Sequence, residues 1–257
     1  MHRAPRRAIL LALGLAIALV LPAAVTASHS WGGYHWARTA NPFNVNLGDN
    51  VTSAWDFYLT TASSDWSAST VLDTTVVAGT VNPRTCKATT GMVQVCNKAY
   101  GYNGWLGVAG ISITGGTHIT KAYVKLNDSY FNSPTYDTPA WRAMVTCQEV
   151  GHTFGLDHQD TNFDNPNLGT CMDYTSDPST NQHPNKHDYD ELLLIYSHTD
   201  STSTISSAPA AAAAVGGNAD EAWGALVKVT NNGHGAWYMR DFGAGNLLLT
   251  HVLWAGR

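Results

Sequence analysis

The stretch Gln148-Glu149-Val150-Gly151-His152-Thr153-Phe154-Gly155-Leu156-Asp157-His158 concentrates residue types that bind and use metal ions. On a helix, positions 148 and 152 lie one turn apart and share a face. Glu149 stands beside them. Gly155 can turn the chain sharply, because it tolerates backbone angles closed to other residues. That turn brings His158 back toward the same point. Three convergent side chains with an adjacent carboxylate describe a catalytic metal site, in which one position stays open for water. The metal lowers the pKa of that water and the carboxylate accepts its proton. A lone His on a helix is usually packed or at the surface. Two at this spacing, following Glu149 and flanking Gly155, point to metal contact.

These residues need a helix and a frame. Pro139 suits a first helical turn and Thr138 is its cap. Trp141, Met144, Val145 and position 148 recur near helical spacing, and the helix should stop at Gly155. Upstream, Phe43–Leu47, Ser69–Val81, Gly107–Ile113 and Ile119–Leu126 read as strands. Val51–Thr60 starts a helix that Asn50 could cap, and the turn-rich run from Cys86 to Cys96 resembles a stapled hairpin. A last helix is expected from His187 to His198, with Leu192, Leu193, Ile195 and Tyr196 as its apolar side. Strands followed by helices give an α+β domain.

The motif resembles that of the metzincin metallopeptidases, and most closely their matrixin branch. Their pattern is H-E-x-x-H-x-x-G-x-x-H, matched here by Glu149, His152, Gly155 and His158. The resemblance covers roughly residues 34–198. It implies a twisted mixed sheet, a motif helix and a closing C-terminal helix. It implies zinc, bound by His152 and His158, with Glu149 as general base. It makes Met172, in Cys171-Met172-Asp173-Tyr174, the structural methionine of the turn beneath the metal. It makes Ala122–Leu126 the edge strand along which an extended peptide or protein substrate lies. Tyr174 is then a candidate for holding the tetrahedral oxyanion, and Asp157 for orienting a ligand His.

The first zinc-binding His of the family is Gln148 in this chain. Three expectations follow: Gln148 ligates through its side-chain oxygen; Asp160, His183 or His187 fills the gap; or the site is impaired and the chain is a secreted binding protein on a protease scaffold. Asp160, Asn162, Asp164, Asp173 and Asp177 form an oxygen-rich stretch of the kind that suits structural calcium. No calcium-loop motif is present, so no calcium ligand is assigned.

The chain has 257 residues, 44% hydrophobic and only 13% charged, about half the usual charged share. Nine Trp and eleven Tyr supply large surfaces for burial. Arg3, Arg6 and Arg7, the apolar run from Ile9 to Leu21 and Val25-Thr26-Ala27 form a secretory signal, with cleavage expected before Ser28. Its loss takes the formal charge from -5 to -8, which makes nucleic acid and anionic lipid poor partners. No later stretch is apolar and long enough to span a bilayer. Four Cys in an exported chain argue for two disulfides. Of the three pairings, local spacing favours Cys86–Cys96 and Cys147–Cys171. No Cys lies between Ser28 and Cys86, so a Cys-capped latency segment is not expected. The expected order is a signal peptide at 1–27, a catalytic domain at 28–200, a Ser/Thr/Ala linker at 201–218 and a small strand-rich tail at 219–257. The whole predicts a secreted zinc-dependent endopeptidase.

Overall fold

In a computed structural model of the chain, residues 29–205, 223–230 and 232–256 are described. The expected signal peptide and most of the expected linker lie outside them. The strands are β1 (His35–Trp36), β2 (Phe43–Asn50), β3 (Leu72–Ala78), β4 (Val93–Lys98), β5 (Trp105–Thr114), β6 (His118–Asn127), β7 (Ala225–Val229), β8 (Gly235–Asp241) and β9 (Leu247–Trp254). The helices are α1 (Asp56–Trp66), α2 (Asp128–Phe131), α3 (Pro139–His152) and α4 (Lys186–Ile195).

The fold is α+β, as expected. One mixed sheet runs in the order β3-β2-β4-β6-β5-β9-β8-β7, with β1 against β6. β2, β3, β4 and β6 are parallel, while β5, β9, β8 and β7 add an antiparallel half. The tail therefore does not stand apart. Its strand β9 pairs with β5 over Leu247–Trp254 and carries the sheet onward. Lying inside the sheet, β5 is apolar on both faces, with Trp105–Ile111 fully buried.

Local chemistry explains the helices. Thr138 accepts a hydrogen bond from the Trp141 N–H, and Pro139 opens α3. Asn185 and Asp188 form a reciprocal capping box on α4. Tyr196, just past α4, donates its hydroxyl to the Phe154 carbonyl at 2.9 Å, so the closing helix holds the turn that follows α3. Trp66 and Trp36 donate their indole N–H groups to the carbonyls of Cys147 and Thr153. Both rings are fully buried; burying a side chain of this size contributes about 1.5–3 kcal/mol or more.

Four expectations change. α1 begins at Asp56 after Trp55; Asn50 instead ends β2, its side chain bonding Val81 and Gln94. Cys86 to Cys96 is not a hairpin, because β3 and β4 flank β2 on opposite sides and both run parallel to it. Ala122–Leu126 is not an edge, since β6 lies between β4 and β5. On α4, Leu192 and Ile195 are buried but Leu193 is exposed.

Candidate metal centre

α3 carries Gln148, Glu149 and His152 into the core, all fully buried. The helix ends at His152, and the next residues coil tightly until Gly155, which has φ +92°. A Cβ at 155 would lie 2.0 Å from the Tyr34 carbonyl oxygen, so only glycine fits this turn. Beyond it, His158 returns to the helix. His152 Nδ1 is 2.8 Å from the Leu156 carbonyl. A carbonyl only accepts, so Nδ1 carries the proton and Nε2 presents a lone pair. That Nε2 lies 3.2 Å from His158 Nε2. Two nitrogens on a tetrahedral zinc with bonds of ~2.05 Å stand ~3.3 Å apart.

The third imidazole comes from the far end of the chain. His251, on β9, sits opposite Ala109 of β5. One nitrogen from each of His152, His158 and His251 falls within 4.8 Å of the other two. His251 Nδ1 is 3.1 Å from Glu149 Oε2, and its Nε2 is 2.8 Å from the Tyr174 hydroxyl. Tyr174 also stacks on His158, and Trp31 stacks on His152. Trp237 of β8 meets His158 edge-on.

Asp157 takes the His158 N–H on Oδ1 at 2.9 Å, with His158 Nδ1 3.4 Å away. Its Oδ2 is 2.8 Å from Lys228 Nζ on β7. Burial alone would raise the Asp157 carboxyl; His158 and Lys228 outweigh it and hold it well below the usual range. Burial pushes Glu149 well above the carboxylate range, and it pushes His152 and His251 well below the imidazole range and His158 below it. The three rings are thus neutral, the form that ligates a metal.

The remaining expected residues fall as follows. Cys86–Cys96 and Cys147–Cys171 are both bonded, so α3 is fastened to the loop that carries Met172. Met172 is fully buried, with its sulfur against Gly151. Gln148 Nε2 donates to the Cys171 carbonyl at 2.8 Å, while Gln148 Oε1 and Glu149 Oε1 have no hydrogen-bond partner. His183 pairs with Asp65, and His187 stacks on His29. Asp160 accepts from Asn162 and Asn165, Asp173 from Leu168 and Asn181, and Asp177 caps a short turn.

No protein-family model matches the sequence, and no curated protein does. Solved structures similar to the chain include two of low identity. One is high choriolytic enzyme 1, a hatching enzyme zinc-protease from the medaka fish Oryzias latipes, at TM-score 0.35 and 9% identity over 63% of this chain and 94% of that one. The other is myroilysin, at TM-score 0.36 and 10% identity over 63% of this chain and 97% of that one. Neither likeness is strong enough to carry a function.

His251 was missed from the sequence, although a signal for it exists. In Leu247–Trp254 the alternation sets residues 249, 251 and 253 on one face. A His between two core leucines is a buried polar group that needs a reason. A second convergence, His35 and His198 around Asp200, lies elsewhere; there Arg38 already pairs with Asp200 at 2.9 Å.

Proposed function

We propose that the chain is a secreted zinc-dependent endopeptidase of metzincin type, with the metal held at His152 and His158 and Glu149 as general base. One observation carries this. The Nε2 atoms of His152 and His158 face one point, 3.2 Å apart, beside a fully buried carboxylate with an orphaned oxygen. A buried carboxylate without a cation costs several kcal/mol, and a divalent ion at that point supplies the missing charge.

Zinc held there would supply Lewis-acid polarisation of a scissile carbonyl and a more acidic water. Glu149, beside the two imidazoles, would serve as the proton acceptor and would return a proton to the leaving amine. Asp157 orients His158 from behind, as outer carboxylates do for metal-bound imidazoles. Met172 and the Cys147–Cys171 bond hold the floor beneath α3. The substrate is an extended peptide, and its entry requires Trp31 and Trp237 to move from over the imidazoles.

A second reading, a secreted binding protein with an impaired site, draws on the burial. His158 exposes only 6% of the residue and none of its imidazole, and His152 and His251 expose nothing, whereas a catalytic metal keeps an open position. Zinc analysis of the purified protein with a quenched-peptide assay separates the two. Chelator-sensitive cleavage restored by zinc supports the endopeptidase; a zinc-loaded protein that cleaves nothing supports the binding protein.

A further inference from the structure

We infer that His251 is the third ligand of the metal centre, and that the C-terminal hairpin of β8 and β9 is therefore a working part of that centre. The inference rests on the zinc reading above and deepens it.

Replacing a ligand His by Gln148 leaves the motif with two imidazoles. The chain restores the third from β9. Strand pairing fixes where it falls: β5 packs against α3, β9 is registered on β5, and Ala109 opposite His251 directs that position to the α3 side with Leu249 and Leu253. The register is reinforced at both ends, by Trp105 opposite Trp254 and Ile113 opposite Leu247. Slipping it by one residue would turn His251 to the other face.

The tail is also anchored on the motif itself. Lys228 Nζ is 2.8 Å from Asp157 and 4.2 Å from the centre of the Trp237 ring. Gly235 opens β8 directly over Tyr174; a Cβ there would lie 1.6 Å from the Tyr174 hydroxyl oxygen. These contacts bring β8 and β9 down onto His158 and Tyr174, and with them the ring of His251.

Gln148 is the competing donor, since its Oε1 has no partner. Its amide nitrogen is tied to Cys171, which suits a brace between α3 and the Met172 loop. Imidazole nitrogen is also the commoner zinc donor. His251 already sits between Glu149 and Tyr174, within 4.8 Å of both other imidazole nitrogens. Closing to the ~3.3 Å spacing of a tetrahedral set is a side-chain movement.

The test is zinc-edge X-ray absorption on the full mature chain loaded with one equivalent of zinc, in a His198→Ala background that disables the second His cluster. Three imidazoles are expected. Two imidazoles with an oxygen donor would overturn the inference and leave the zinc reading intact; a chain that takes up no zinc would overturn both. Chelator competition gives a second readout. His251→Ala should weaken zinc binding by at least ~100-fold, beyond the usual effect of losing an outer partner, while Gln148→Ala should stay within ~10-fold. The reverse order would sink the assignment. Because the absorption count is made with His251 in place, a folding failure of the His251 variant does not affect it.

Discussion

His251 Nδ1 lies 3.1 Å from Glu149 Oε2, although 102 residues separate them in sequence. Both side chains are fully buried. The contact joins the two ends of the fold: the motif helix at the heart of the domain and the last strand of the sheet. It exists because β9 occupies the side of β5 that would otherwise be an edge.

The hairpin should be stability-critical as well as functional. Gly235→Val drives two methyl groups into Tyr174, where even one added carbon is too close. Overpacking of this kind costs ~1–3 kcal/mol. Denaturant melts of the metal-free variant should show that loss, and chelator competition should show weaker zinc binding. Wild-type behaviour in both would mean that the hairpin does not press on Tyr174.

The Cys147–Cys171 bond closes a span of 24 residues. Chain entropy alone assigns such a loop roughly 3 kcal/mol. The double variant Cys147→Ser, Cys171→Ser should melt correspondingly earlier in urea and bind zinc less tightly, since α3 and the Met172 loop lose their tie. An unchanged zinc affinity would show that the floor is held by packing alone.

Asp200 gives a pH signature away from the metal centre. Arg38, His35, His118 and His198 all face it. Burial pulls its pKa up, but the Arg38 N–H and the surrounding positive charges win and lower it. With a depressed folded pKa, its contribution is present above the unfolded value, ~3.9, and is lost as pH falls through the folded one. The stability gap between wild type and Asp200→Asn should therefore be present above about pH 4 and shrink below it. A gap that is constant from pH 6 to pH 3 would contradict this.

Much of the centre was legible in the motif. Thr138, Pro139 and the helical spacing gave α3, and Gly155 gave the turn that returns His158, because these signals are local. The third imidazole was not legible, because His251 reaches the site through strand pairing between β5 and β9. Nothing in the linear sequence ties Ala109 to His251. The same cause explains the hairpin expected around Cys86. A disulfide with a separation of 10 looks local, yet its chain crosses over β2 from one neighbour to the other. Ala122–Leu126 is read as an edge strand from the family resemblance, but β6 pairs with β4 on one side and β5 on the other, and such pairing is not written in the local sequence.

The proposed role of Glu149 as the base of a zinc-dependent peptidase is tested by measuring cleavage of an unstructured fluorogenic peptide by wild type and Glu149→Gln, with zinc content determined on the same samples. That role predicts equal zinc in both and a rate at least ~100-fold lower in the variant. Equal rates at equal zinc, or no cleavage by zinc-loaded wild type, would contradict it.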